Sequence, residues 1–195
     1  RIEPSAELFG GSPITTNTLG GSRSNSVTAG VRGATIAAGG VPTGDSDPAF
    51  DAEDPNRVTD HYGTVGGGYA NRAGDASAST LDRPFATVGG GQANTAFGTG
   101  STIGGGIDNT AGFRATVGGG QANRGSGEES TIGGGRSNSA SEFQSTIGGG
   151  FDNDATGDWS TVSGGYQNTA SGRYSTVGGG VSNCAGGDYS WAGGL

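Results

Sequence analysis

The residues able to do chemistry are few and scattered. His61 is the only histidine and Cys184 the only cysteine of the 195-residue chain. A base and a nucleophile 123 positions apart, with no nucleophile signature around either, do not suggest a catalytic pair. We read His61 as a solvated or packing side chain at the edge of an insertion, and Cys184 as a small inert thiol. Asp152 with Asp154, or Asp158, would serve as a glycosidase pair only if two chains brought carboxylates together across an interface. The Gly-Gly-Gly triplets are not phosphate loops, because no Lys follows them and no helix begins there. The densest acidic stretch holds Asp45, Asp47, Asp51, Glu53 and Asp54, with Asp60 just beyond. Calcium takes six to eight oxygens, so these residues are the candidate metal ligands. Their spacing is not that of an EF-hand, Pro48 interrupts the run, and the nine-residue beat of calcium-binding solenoids is missing. The plainer reading is a solvated acidic loop that keeps a sheet edge from pairing. Overall the chain reads as a non-enzyme.

Whatever these residues do, a repeat must position them. Gly accounts for 45 residues and only 30% of the chain is hydrophobic. That would suggest low complexity were it not for a period. Ser-Thr-Val/Ile-Gly-Gly-Gly-x-x-Asn-x-Ala recurs, with Thr at 64, 87, 102, 116, 131, 146, 161 and 176, and Asn seven residues after each. From Thr87 the steps are 15, 14, 15, 15, 15 and 15 residues. Val, Ile and Thr favour extended backbone, Gly permits tight corners, and Asn tolerates the left-handed region and can stack into ladders. The pattern predicts an all-β parallel solenoid of about eleven 14–15-residue coils over 18–195, after an irregular lead-in or cap over 1–17. Insertions at about 41–55 and 74–84 leave two corners. The chain starts at Arg1 with no signal peptide, which we read as a piece of a longer protein.

Pleating assigns faces. Val88, Ile103, Val117, Ile132, Ile147, Val162 and Val177 point inward with the preceding Ser and the Ala column. Asn94, Asn109, Asn123, Asn138, Asn153, Asn168 and Asn183 hold the corners. Thr and the position two before it point out. That outward column includes Tyr62, Phe85, Trp159, Tyr174 and Tyr189, and a second, after the Gly corner, includes Tyr69, Phe151 and Tyr166. These aromatics are candidates for ligand binding or for an interchain interface, and we read at least one column as interface. The outward Thr rank would suit ice binding only with a partner Thr rank, and Gly stands there instead. One Val or Ile and one Ala per coil make a thin interior, so further burial is expected from neighbouring coils and neighbouring chains. A net charge of −8 excludes a nucleic-acid partner, and no apolar run is long enough to span a membrane.

The Thr-Val-Gly-Gly-Gly-x-x-Asn-x-Ala-x-Gly copies resemble the head repeats of YadA-like trimeric autotransporter adhesins, and the related Gly-rich repeats of tail-fibre-like bacterial surface proteins. The likeness covers roughly 18–195. It departs from the adhesin heads in having Ser-Thr-Val/Ile-Gly-Gly-Gly where those carry Ser-Val-Ala-Ile-Gly. The resemblance implies a left-handed β-roll, a homotrimer, and a place on the outside of a bacterium or a phage-like fibre. It also implies attachment to a glycan or matrix protein. A purely structural spacer is the alternative reading. No cofactor is expected, calcium at the acidic insert excepted.

Overall fold

The computed structural model describes residues 2–4, 16–41, 54–75, 77 and 79–194. The described chain is all-β and winds as a parallel solenoid of about eleven turns. Each turn lays one rung on each of two sheets. One sheet has twelve strands and the other ten. In the first, Thr-Val or Thr-Ile pairs stack in unbroken register, as Thr102↔Thr116↔Thr131↔Thr146↔Thr161↔Thr176. In the second, Thr95–Ala96, Thr110–Ala111, Arg124–Gly125, Ser139–Ala140, Asp154–Ala155 and Thr169–Ala170 do the same. The only antiparallel pairing described joins Ile2–Pro4 to Thr16–Leu19, laying a strand along the edge that the first coil would otherwise leave open.

The rungs are two residues long because each carries one side chain in and one out. Ile36, Val65, Val88, Ile103, Val117, Ile132, Ile147, Val162 and Val177 are fully buried. Across the interior lie Ala73, Ala96, Ala111, Ala140, Ala155 and Ala170, also fully buried. Ser101, Ser130, Ser145, Ser160 and Ser175 complete the lining. A branched aliphatic against a methyl group fills a coil, so the two sheets pack closely. Within a single chain this interior is already closed to solvent.

The Asn column is the polar spine of that interior. Asn56, Asn71, Asn94, Asn109, Asn123, Asn138, Asn153 and Asn168 are at most 1% exposed. The Asn138 amide donates to Asn123 Oδ1 (3.0 Å), to Gly134 O (3.0 Å) and to Gly150 O in the next coil (3.1 Å). Its Oδ1 accepts from the Asn153 backbone N–H and Nδ2, both at 3.1 Å. From Asn71 to Asn168 every rung repeats this set, so each of these buried amides is satisfied by the coils above and below. The left-handed residue at this corner is not Asn, as its tolerance suggested, but the residue before it: Ala122, Ser137, Asp152 and Gln167 have φ between 52° and 58°. Asn keeps a negative φ, which turns its side chain inward to the ladder.

Both insertions leave the stack without shifting it. Ser26↔Arg57 and Val27↔Val58 pair directly although the first insertion lies between them, and the Val41 N–H meets Asp54 O at 3.4 Å where its ends return. Thr64↔Thr87 and Val65↔Val88 pair across the second. The His61 N–H donates to Thr80 O at 3.0 Å, folding that insertion back over the coil.

Candidate functional site

The outward position two before Thr is set by an unusual backbone. Tyr62, Phe85, Arg114, Glu129, Gln144, Trp159, Tyr174 and Tyr189 all have positive φ, between 51° and 68°. Each donates its N–H to a carbonyl of the preceding coil, as Trp159 to Phe143 O and Tyr174 to Asp158 O, both 2.9 Å. Coil stacking therefore holds these residues in a conformation that costs an isolated residue about 1–2 kcal/mol. The consequence is a ladder of side chains aligned along one edge.

The ladder is continuous. Arg114 Nη1 lies 3.1 Å from Glu129 Oε1, and Gln144 Nε2 donates to Glu129 Oε2 at 2.7 Å. The Trp159 indole N–H donates to Gln144 Oε1 at 2.7 Å. Above it the rings of Trp159, Tyr174 and Tyr189 stack with centroids 4.8 and 5.1 Å apart and planes within 11° of parallel. Arg173 lies over both Trp159 and Tyr174, and Phe143 meets Trp159 edge-on. Hydrogen bonds from Gln144 and Arg114 hold the Glu129 carboxyl below the ordinary carboxylate range. Tyr62 stacks on Phe85 at 5.1 Å in the coils beside the insertions.

The second predicted column, after the Gly corner, bridges from coil to coil through its backbone from Tyr69 to Val181. Phe151 and Tyr166 stack at 5.4 Å, with Arg136 over Phe151. The two columns run along the two edges of the Thr-bearing sheet. Parallel stacking covers the ring faces with neighbouring rings and leaves a row of ring edges to solvent. Two rings of the first column keep a free face: Tyr189, at 76% exposure, and Phe85, at 58% with only Gly100 on the next rung. This geometry suits edge-on packing against another surface better than face-on stacking of a sugar.

No known protein family and no curated protein matches this chain.

Of the predicted metal ligands, Asp45, Asp47, Asp51 and Glu53 lie outside the described residues. Asp54 lines an open groove of about 220 Å³ with Pro55, Arg57, Ala70, Asn71, Arg72 and Thr95. Arg57 and Arg72 stand on successive rungs, and Arg72 Nε is buried with no hydrogen-bond partner. A negatively charged group entering there would meet two guanidinium groups. Sequence reasoning missed this pair, although its signal, Arg directly after Asn in two consecutive coils, was present.

Among the candidate glycosidase carboxylates, Asp152 accepts from Gln167 Nε2 at 3.0 Å, while Asp154 lies half-buried on the outward face of the second sheet. Burial, and then the charge of Asp152, push the Asp154 carboxyl above its ordinary value. A raised folded-state value means that the native state holds this proton more tightly than the unfolded chain. The associated stability is therefore complete in acid and lost as pH rises through the raised value. Asp154→Asn is expected to stabilise the chain at pH 7, by less than about 1 kcal/mol, and to make no difference near pH 3. Thermal unfolding of both proteins at the two pH values checks this.

Cys184 is exposed on the outward face of the last rung of the second sheet. Among the described residues no helix is long and apolar enough to cross a membrane.

Proposed function

We propose that this chain is a non-enzymatic display and attachment segment: a left-handed solenoid head of a homotrimeric surface adhesin or fibre, outside a bacterium or phage-like particle. The supporting observation is the ladder from Arg114 to Tyr189. It holds aromatic and charged side chains at rung spacing along one edge of a solenoid whose interior is complete within one chain. A stiff stack of this kind is suited to presenting weak contacts at fixed intervals, and three copies would convert them to avidity. The row of ring edges is the surface on which the chains would meet, and the two insertions and the Arg57–Arg72 groove would remain open to a glycan or matrix protein. A spacer without ligand is the second reading, favoured by the regularity of the Thr face.

Light scattering coupled to size exclusion tests the assembly, with an expected mass three times that of the chain. In the double variant Trp159→Ala/Tyr174→Ala the trimer is expected to dissociate to folded monomers, since the interior does not depend on either ring. A folded monomer in the wild-type chain would overturn the trimer. An intact trimer that has lost binding to a panel of polysaccharides and matrix proteins would instead make the ladder the binding surface.

A further inference from the structure

The base of the second insertion gathers three carboxylates from separate parts of the chain. Asp60 follows the rung Arg57–Val58, Asp75 follows Arg72–Ala73 one coil later, and Asp82 lies in the inserted loop. Each offers an oxygen within 4.8 Å of the other two. The partners of these groups are specific. Asp60 Oδ2 accepts from the Asp75 N–H (3.0 Å) and from the Thr59 hydroxyl (3.1 Å). Asp75 accepts from the Ser77 N–H (2.8 Å) and from Arg83 Nε (3.3 Å). Asp82 accepts from the Ser77 hydroxyl through both oxygens, at 3.2 and 3.0 Å. One oxygen is left over: Asp60 Oδ1 has no hydrogen-bond partner, and Asp60 is 1% exposed.

A buried carboxylate oxygen without a donor is costly, and two further carboxylates beside it raise the cost. Arg83 offsets one of the three negative charges, leaving two. The unmet requirement is for a compact dication that accepts oxygen donors. We propose that Asp60, Asp75 and Asp82 form a calcium site, with Asp60 Oδ1 as its buried anchor and the Ser77 hydroxyl and water completing the shell. The donor set decides among cations. All three side chains are hard oxygens and His61 does not join the cluster, which favours calcium over zinc. This site differs from the acidic stretch at 45–54 singled out in the sequence. The ion would tie the inserted loop to two successive coils, fixing its position on the rod.

Calorimetric titration of calcium chloride into the chelator-treated chain tests the site, alongside thermal unfolding with and without the ion. One calcium per chain is expected from this cluster, together with a rise in the unfolding midpoint. Asp82→Asn, an exposed position whose change leaves the coil intact, should weaken binding at least tenfold. Asp60→Asn should abolish it, and Asp152→Asn, remote from the cluster, should leave it unchanged. Two results would overturn the proposal. One is no heat and no midpoint shift at about 10 mM calcium, well above the range of extracellular calcium modules. The other is wild-type affinity in Asp82→Asn and Asp60→Asn, which would place any bound calcium elsewhere.

Discussion

Asn138→Ala should destabilise the solenoid by about 3–5 kcal/mol, more than any surface change, because one amide serves three coils. Its removal leaves the buried Asn153 backbone N–H without its acceptor and the part-buried Gly134 carbonyl without its donor. The Gly150 carbonyl keeps a partner in the Arg136 N–H, so the loss is not total. Asn183→Ala at the far end is the internal control. That residue is half-buried and no further Asn accepts or donates above it, so the cost should stay under about 1 kcal/mol. Urea unfolding followed by circular dichroism separates the two. Asn138→Asp sharpens the test. A carboxylate would face the oxygens of Asn123, Gly134 and Gly150, all acceptors. Its folded-state value must rise, so this variant should be most stable in acid and lose stability as pH climbs past the ordinary aspartate range.

Gly135→Ala is expected to be similarly disruptive, about 3 kcal/mol or more, while Gly134→Ala one residue earlier is expected to be nearly neutral. Gly135 has φ +88°, and a Cβ there would strike the Gly150 carbonyl oxygen and press on Asn138 Nδ2 at 2.8 Å. The obstruction is backbone of the next coil and the ladder itself, neither of which can move without breaking the stack. At Gly134 a Cβ meets nothing within 4 Å. Ala38 occupies the same place in an earlier coil, between Ala37 and Gly39, without disturbing the register of Ile36 on Val65. Equal unfolding midpoints for the two variants would sink this account of the Gly triplet.

These contrasts mark what a periodic sequence makes legible. The 15-residue beat and the alternation around Thr identify the rungs, the inward Val and Ile, and the outward aromatics, because a pleated strand admits only two directions. The beat also places the Asn residues one above another. It does not reveal that the residue before each Asn, and the residue two before each Thr, take the left-handed turn. Those columns mix Ala, Asp, Gln, Arg, Trp and Tyr, and the strain is borne by coil-to-coil hydrogen bonds rather than by residue type. The Asp60–Asp75–Asp82 cluster was hidden for a different reason. Two of its members lie in or beside an insertion, where the period stops and chain distance no longer predicts proximity. Arg173 over Trp159 was hidden because the packing is diagonal between coils, one residue off the column.

The narrow interior also governs how the molecule responds to temperature. The heat capacity of unfolding rises with the apolar surface exposed and falls with the polar surface exposed. Here each coil hides one branched aliphatic and a methyl group, while its Asn amide and many peptide groups are buried beside them. The two contributions oppose each other more evenly than in a globular core. The stability curve of this rod should therefore be shallow, changing little between cold and warm surroundings, and cold should do little to loosen it.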